Sequence, residues 1–421
     1  MPRNILFLSH RLPYPPNKGD KVRSYALLKH LASKGTVHLA CFMDDRSDFS
    51  YLDEVRELAR GDCHFEFIGA TTRMVRGARA VMEGKAVTTG SFASPRLKRF
   101  LKRLFHEKSF DDVVVFGSAM APYLFDSEFG PHRVLFDMVD VDSDKWLQYS
   151  ANSAGLLRWL YHREALKMKE TERVAAQLFG KTLLVSEFEA DTFREIAPES
   201  RNKVGSLTNG VDLSYFKPME FDNPFSEEEC PLVMTGHMGY RPNYEGALWF
   251  AKEVLPLVQK SVRSVRAYFV GTSPPPMLRA VAGPGIVVTG GVPDVRPYLR
   301  FAGAVIAPLR IARGVQNKVL EAMAMNKPVV ATWEATRALK VSSGTHLWIA
   351  NDPLHFANAV LSAIKSADSD QISQAGREYV IQNHNWNPIL TTLDTELDRV
   401  RHANESNPRQ QTLICPAECN G

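Results

Sequence analysis

At 421 residues the chain is too long for one compact core and fits two domains of ordinary size. A hydrophobic content of 44% and a charged content of 23% exclude a disordered or fibrous chain. The formal net charge of +4 is mild: it permits anionic ligands or anionic lipid, requires neither, and gives no reason to expect nucleic acid as a partner.

The first forty residues read strand, loop, helix, strand: NILFLSH, RLPYPPNKGD, KVRSYALLKHLASKG and TVHLACF. Tyr25, Leu28 and Leu31 recur at helical spacing, and Gly35 supplies the stop. CHFEFIG, DDVVVFGS, HRVLFDMV and KTLLVS continue the series as short apolar runs without strict alternation, the pattern of strands covered on both faces. Between them SPRLKRFLKRLFHEK, residues 94–108, is a basic amphipathic helix with Ser94 as cap and Pro95 in its first turn. Docking on anionic lipid is one reading. An ordinary surface helix with its apolar stripe on the core is the preferred one.

The pattern resets near residue 200, where SLTNGVDLSYFKP is rich in turn signals. A second series follows: CPLVMTG, VRAYFVG, GIVVTGG, GAVIAPL, KPVVAT and HLWIA. Two βα series predict two doubly wound Rossmann-like domains facing across a cleft, over residues 1–200 and 201–385. A last helix over 386–402 is expected to join the first domain, with a disordered tail at 403–421. Five scattered cysteines fit no disulfide framework, and Cys415 and Cys419 in the tail read as incidental thiols. Neither a signal peptide nor an apolar run of membrane-spanning length is recognisable, so a cytoplasmic protein is expected.

Ligands of open parallel sheets bind beyond the carboxyl ends of strands, where loops enter helix N-termini. Two loops there stand out. In PPNKGDKVR, Gly19 leaves room for close approach, Asp20 is placed to cap the helix, and Lys18, Lys21 and Arg23 are expected to surround the loop with positive charge that favours phosphate. No G-x-G-x-x-G follows the first strand, which disfavours a dinucleotide cofactor. In LRIARGVQNKVLEAMAM, Gly314 permits close approach at a helix N-terminus, Lys318 can reach a diphosphate, and Glu321 one turn on can accept from both hydroxyls of a ribose. Asn326 is a plausible left-handed stop. The bland alternative is a surface Lys318–Glu321 ion pair. The loop glycine, with Arg310 and Arg313 beside it, favours the functional reading.

The Gly19 loop, TNGVD at 208–212, GHMGYRPNYEGALWF at 236–250, TGGVPDVRPYL at 289–299 and the GVQNKVLEAMA helix together resemble the retaining GT-B glycosyltransferases of family 4. The likeness covers roughly residues 3–400 and is closest to the sugar transferases associated with exosortase (PEP-CTERM) exopolysaccharide systems. It implies that Glu321 holds the donor ribose, Lys318 contacts the diphosphate, Val292 and Pro293 lie against the base, and Gly19 approaches the distal phosphate. His237, Arg241, Gly314 and Val315 complete the donor set. Two departures matter. Arg313 stands where many members have the first glutamate of E-x7-E, and His237 where many have an arginine; Arg310 or Arg313 is expected to supply the missing charge. Asp140 occupies the position often held by a sugar-facing histidine, with Asp137, Asp142 and Asp144 as rivals, whereas Ser118 and Ser186 read as helix caps.

The resemblance implies no cofactor and no metal, a nucleotide-diphosphate sugar as donor (UDP-sugar ahead of GDP-sugar) and a glycan or polyprenyl-linked acceptor; a peripheral place at the inner face of the plasma membrane is an option beside the cytoplasmic expectation. A sugar-nucleotide epimerase or phosphorylase is the rival within enzymes, and a two-lobed sugar-binding protein the rival outside them.

Overall fold

Short apolar runs become parallel strands throughout the computed structural model, which describes residues 2–405. The first seven are β1 (Arg3–Ser9), β2 (Gly35–Met43), β3 (Arg60–Phe67), β4 (Asp112–Phe116), β5 (Val134–Val139), β6 (Lys181–Leu184) and β7 (Val204–Ser206). They form one sheet in the order β3-β2-β1-β4-β5-β6-β7, every pair parallel. The next six are β8 (Cys230–Thr235), β9 (Val265–Val270), β10 (Ile286–Gly290), β11 (Ala304–Ala307), β12 (Val329–Ala331) and β13 (Trp348–Ile349). Their order is β10-β9-β8-β11-β12-β13, again all parallel. In each sheet the strand order reverses beside the first strand, between β1 and β4 and between β8 and β11. A parallel doubly wound sheet offers its ligand crevice at that reversal.

The chain divides into two compact units: residues up to Leu207 with the chain from Leu390 onward, and Thr208–Ile389. The division falls later than residue 200 because β7, which the sequence reading missed, pairs with β6 through Thr182 and Val204. The final helix, Trp386–Glu405, is tied to the first unit by ion pairs along its length: Asp394 with Lys34 (2.7 Å), Glu396 with Lys181 (3.0 Å) and Arg401 with Asp112 (2.7 Å). It runs through Glu405, three residues into the stretch expected to be tail. The rest of that stretch, with Cys415 and Cys419, lies outside the described residues.

The basic helix spans Pro95–Glu107, and the Ser94 hydroxyl caps it by accepting from the N–H groups of Arg96 (3.2 Å) and Leu97 (3.3 Å). Leu97, Leu101 and Leu104 are fully buried in the core of the first unit, and Phe100 and Phe105 pack against it. Its apolar stripe therefore faces protein, as an ordinary surface helix requires. Asn326 has φ +58 just beyond the Asn317–Ala324 helix, the left-handed stop expected of it.

Candidate functional site

In the second unit the carboxyl ends of β8, β9 and β10 are drawn together by backbone bonds. The Gly236 N–H donates to the Val270 carbonyl and the Gly271 N–H to the Gly290 carbonyl, each at 3.0 Å. Gly236 (φ +144) and Gly271 (φ +154) sit in conformations that L side chains rarely adopt, and a Cβ on Gly271 would lie 1.6 Å from the Gly236 carbonyl oxygen. Glycine is required at Gly271 by this approach. A Cβ on Gly236 would lie 3.1 Å from both the Lys318 ammonium and the Asn243 amide. Lys318 thus stands directly over the end of β8, at the point where the sheet reverses.

Three elements hold it there. Lys318 is the second residue of the Asn317–Ala324 helix, and its Nζ donates to Asn243 Oδ1 on the Arg241–Trp249 helix. Asn243 in turn donates through Nδ2 to the His237 carbonyl at 2.9 Å. Asn209, from the TNGVD stretch, donates to Asn317 Oδ1 at 3.0 Å and anchors the start of the lysine's helix. A Cβ on Gly210 would overlap the Trp386 ring, at 2.5 Å from its nearest atom. Asn243 escaped the sequence reading; its place in the first turn of the helix after the glycine loop was the available signal. Asn317 Nδ2, next to Lys318, is buried without a hydrogen-bond partner among the described residues.

Lys318 and Glu321 make no ion pair within 4.0 Å among the described residues, so the surface-pair alternative is not what forms. Lys318 is instead buried and Glu321 half-buried. Burial pushes the Glu321 carboxyl up to about 7, with Lys318 pulling the other way, and pushes the Lys318 ammonium down to about 8, with Glu321 opposing. No described residue donates a hydrogen bond to the Glu321 carboxyl. A helix N-terminus, an ammonium and an unengaged carboxylate therefore share one turn of helix beside a glycine-lined crevice. This suits a phosphorylated ligand that also carries hydroxyl donors.

The linkage has a definite sign. A carboxyl whose folded value lies above its ordinary value costs stability as pH rises from that ordinary value through about 7. An ammonium whose folded value is depressed costs stability below about 8, and the cost is relieved as pH rises beyond it. A ligand that needs carboxylate and ammonium together should bind best between about 7 and 8 and more weakly on either side. Titration calorimetry with a nucleoside diphosphate across that range checks this, and a flat profile would contradict it.

The remaining second-unit candidates are placed as follows. Gly314 has φ +59 in a buried loop, flanked by buried Arg313 and Val315. Arg310 is exposed: its guanidinium donates to the Asn351 carbonyl (2.6 Å) and lies 5.0 Å from the Trp249 ring centre. Arg241 pairs with Glu245 one turn on, at 2.6 Å. Half-buried Val292 and exposed Pro293 sit on a loop stiffened by the Asp294–Arg296 pair (2.7 Å), with Arg296 3.7 Å above the Tyr215 ring.

In the first unit the structure corrects the charge pattern expected around Gly19. Asp20 is not the cap: it accepts from Arg11 (2.5 Å) and pairs with His10 (3.2 Å), and although burial would raise its carboxyl these partners hold it well below the usual range. Lys21 and Arg23 do not surround the loop. Both are buried, Lys21 against Asp48 at 2.6 Å and Arg23 in a two-pronged contact with Asp137 at 2.8 and 3.1 Å. Only Lys18 remains at the loop. Gly19 itself is exposed, and a Cβ there would meet nothing within 4 Å, so protein packing does not demand glycine at that position.

Asp140 follows Val139, whose φ of +70 is strained for a β-branched residue, at the carboxyl end of β5. Two buried glutamates fix this turn: Glu189 accepts from the Val141 N–H (3.1 Å), and Glu172 from the Ser143 N–H (3.0 Å) and hydroxyl (2.5 Å). Burial pushes Glu172 up to about 8. Neither glutamate was singled out in the sequence, since both lie in unremarkable helical stretches. Among the rivals, Asp137 is spent on Arg23, and Asp142 pairs with Lys145. Ser186 caps its helix through the Glu189 N–H (3.2 Å). Ser118 does not cap; its hydroxyl is buried without a partner among the described residues.

Two parallel sheets of 7 and 6 strands, each reversing beside its first strand, have the arrangement of the GT-B fold. Residues 230–366, the stretch that holds the lysine–glutamate helix, match the family described as glycosyl transferases group 1. Over 409 residues the chain is 21% identical to a 44.6 kDa protein in the cps region of Klebsiella pneumoniae, covering 93% of this chain and 99% of that one. Among solved structures it resembles Anabaena HepE in complex with UDP and glucose, at 14% identity and a TM-score of 0.68, covering 94% of this chain and 100% of that chain. It also resembles sucrose-phosphate synthase from Thermosynechococcus elongatus, at 14% identity and a TM-score of 0.70, covering 95% and 100%. Among the described residues, no helix is long and apolar enough to cross a membrane.

Proposed function

We propose that the protein is a retaining, metal-independent glycosyltransferase of family 4 that moves a hexose from a UDP-sugar to a glycan or polyprenyl-linked acceptor in exopolysaccharide synthesis, at the inner face of the plasma membrane. The observation that carries this reading is the Lys318–Glu321 turn: a buried ammonium over the glycine end of β8 and a carboxyl without a donor, on the helix that follows the sheet reversal. The relative in a cps region and the UDP and glucose bound by HepE support it.

In this reading Glu321 accepts from the ribose hydroxyls, and Val292 and Pro293 lie against the base. Lys318 and the helix N-terminus meet the diphosphate, with His237, Arg241 and Val315 around it. Gly19 faces the distal phosphate, and Asp140, fixed by Glu172 and Glu189, contacts the sugar or acceptor. As the bond from the anomeric carbon to the diphosphate lengthens, negative charge gathers on the leaving oxygen. A cation and N–H groups already in place stabilise that charge without reorganising.

Thermal shift against UDP-, GDP- and ADP-sugars tests the donor site. UDP-sugar at 100 times its dissociation constant should add about 2.7 kcal/mol of stability. Glu321→Ala should weaken UDP-sugar binding by about tenfold or more. It should leave the unliganded melting temperature unchanged or higher, since the half-buried carboxylate it removes accepts no hydrogen bond from a described residue. UDP release that depends on added acceptor separates a transferase from an epimerase. Glu321→Ala protein that binds UDP-sugar like the wild type would overturn the assignment.

A further inference from the structure

The helix Ala70–Met82 is amphipathic in the wrong direction for a water-facing element. Two of its three arginines turn inward, Arg73 toward Asp44 (3.5 Å) and Arg76 to Glu66 (2.9 Å), and the third, Arg79, lies outward against Glu83. Gly77 and Ala80 pack on the Val87–Ser91 helix, where a Cβ on Gly77 would meet Val87 at 3.1 Å. Its outward side carries Met74 (70% exposed), Val75 (62%) and Met82 (82%) beside Thr71, Thr72, Ala78 and Arg79. A surface helix ordinarily places these groups the other way round.

A second apolar segment lies beside it. The first turns of the Gly155–Leu178 helix expose Leu156 (79%), Leu157 (49%) and Trp159 (57%). Arg163, one turn after Trp159, donates to the carbonyls of Val81 (3.2 Å) and Lys85 (3.0 Å), which brings the two segments together. Stretches 70–85 and 154–163 contain one acidic residue, Glu83, and it is already paired with Arg79 and Lys85. Arg158 and Arg163 add to the positive charge.

We propose that this face, the outward sides of the Ala70–Met82 helix and the first turns of the Gly155–Leu178 helix, docks on an anionic lipid bilayer. Clustered apolar side chains ringed by arginine and lysine, with a tryptophan among them, match the headgroup boundary, which takes methylene groups below and cations at the phosphates. The Pro95–Glu107 helix, more basic in sequence, is not the anchor because its leucines are already spent on the core. The inference does not depend on the donor-site reading.

Sedimentation of the full chain with vesicles tests it. The wild type should pellet with phosphatidylglycerol–phosphatidylcholine vesicles and not with phosphatidylcholine alone, and added salt should weaken the association. The variant Leu156→Glu/Trp159→Glu should bind about tenfold or more weakly, with an unchanged melting temperature because both side chains are exposed. A second measurement needs no charge variant: brominated lipid should quench wild-type tryptophan fluorescence more than that of Trp159→Phe. Failure of the wild type to pellet with anionic vesicles would overturn the proposal. So would a wild-type dimer in solution that Leu156→Glu/Trp159→Glu dissociates, since the face would then belong to a second copy.

Discussion

Lys318→Met is expected to lower turnover by about 10²–10³ while preserving the fold, if the lysine meets charge that develops on a diphosphate. Methionine keeps the length of the chain and its contact over Gly236 but removes the ammonium. Relief from a disfavoured buried ammonium is offset by the lost donor to Asn243 Oδ1, so the variant should melt close to the wild type at neutral pH. The loss should fall more on kcat than on the donor dissociation constant, because the charge is greater in the transition state than in the ground state. Steady-state UDP release with acceptor present, alongside calorimetric UDP binding, separates the two. Unchanged turnover would reduce Lys318 to a packing residue.

The largest stability effect is expected in the first unit, at Arg23→Met. Arg23 and Asp137 join the Gly19–Lys34 helix to β5 through contacts at 2.8 and 3.1 Å, and both are almost wholly buried. Removing the guanidinium leaves a buried carboxylate without its counter-charge, a change that costs about 3–5 kcal/mol. Burial already pushes the Asp137 carboxyl up against the pull of Arg23, and in the variant only the backbone hydrogen bond from Val139 would oppose it. A carboxyl raised in this way loses stability as pH rises above its ordinary value, so the deficit should be smaller in mild acid than at pH about 8. Denaturant melts at both pH values check the magnitude and the sign. An equal deficit at both would mean that Asp137 stays ionised by other means. The pair also bears on the site, since β5 leads through Val139 into the turn that carries Asp140.

Architecture was legible from local pattern. Runs such as DDVVVFGS and GAVIAPL are short, apolar and unalternating because parallel strands are covered on both faces, and the spacing between them leaves room only for crossover connections. The strand missed, β7, is three residues long with a central glycine, too short to show any period. The apolar stripe of the Pro95–Glu107 helix was also readable, since three leucines at helical spacing need a core to face.

Residue type and spacing likewise determined that Lys318 and Glu321 would share one turn of a mostly buried helix after a glycine loop. Charge placement was not determined that way. Lys18, Lys21 and Arg23 look alike in sequence around Gly19, yet only the packed helix shows which turn inward to Asp48 and Asp137. The same holds for Asn243 beneath Lys318, for Glu172 and Glu189 behind Asp140, and for the Met and Trp side chains that face outward. Local sequence sets which side of a helix an apolar residue occupies. Whether a charged side chain is spent on a buried partner or left for a ligand depends on residues dozens or hundreds of positions away, because electrostatic pairing acts through space and desolvation is fixed only once the chain has closed around the group.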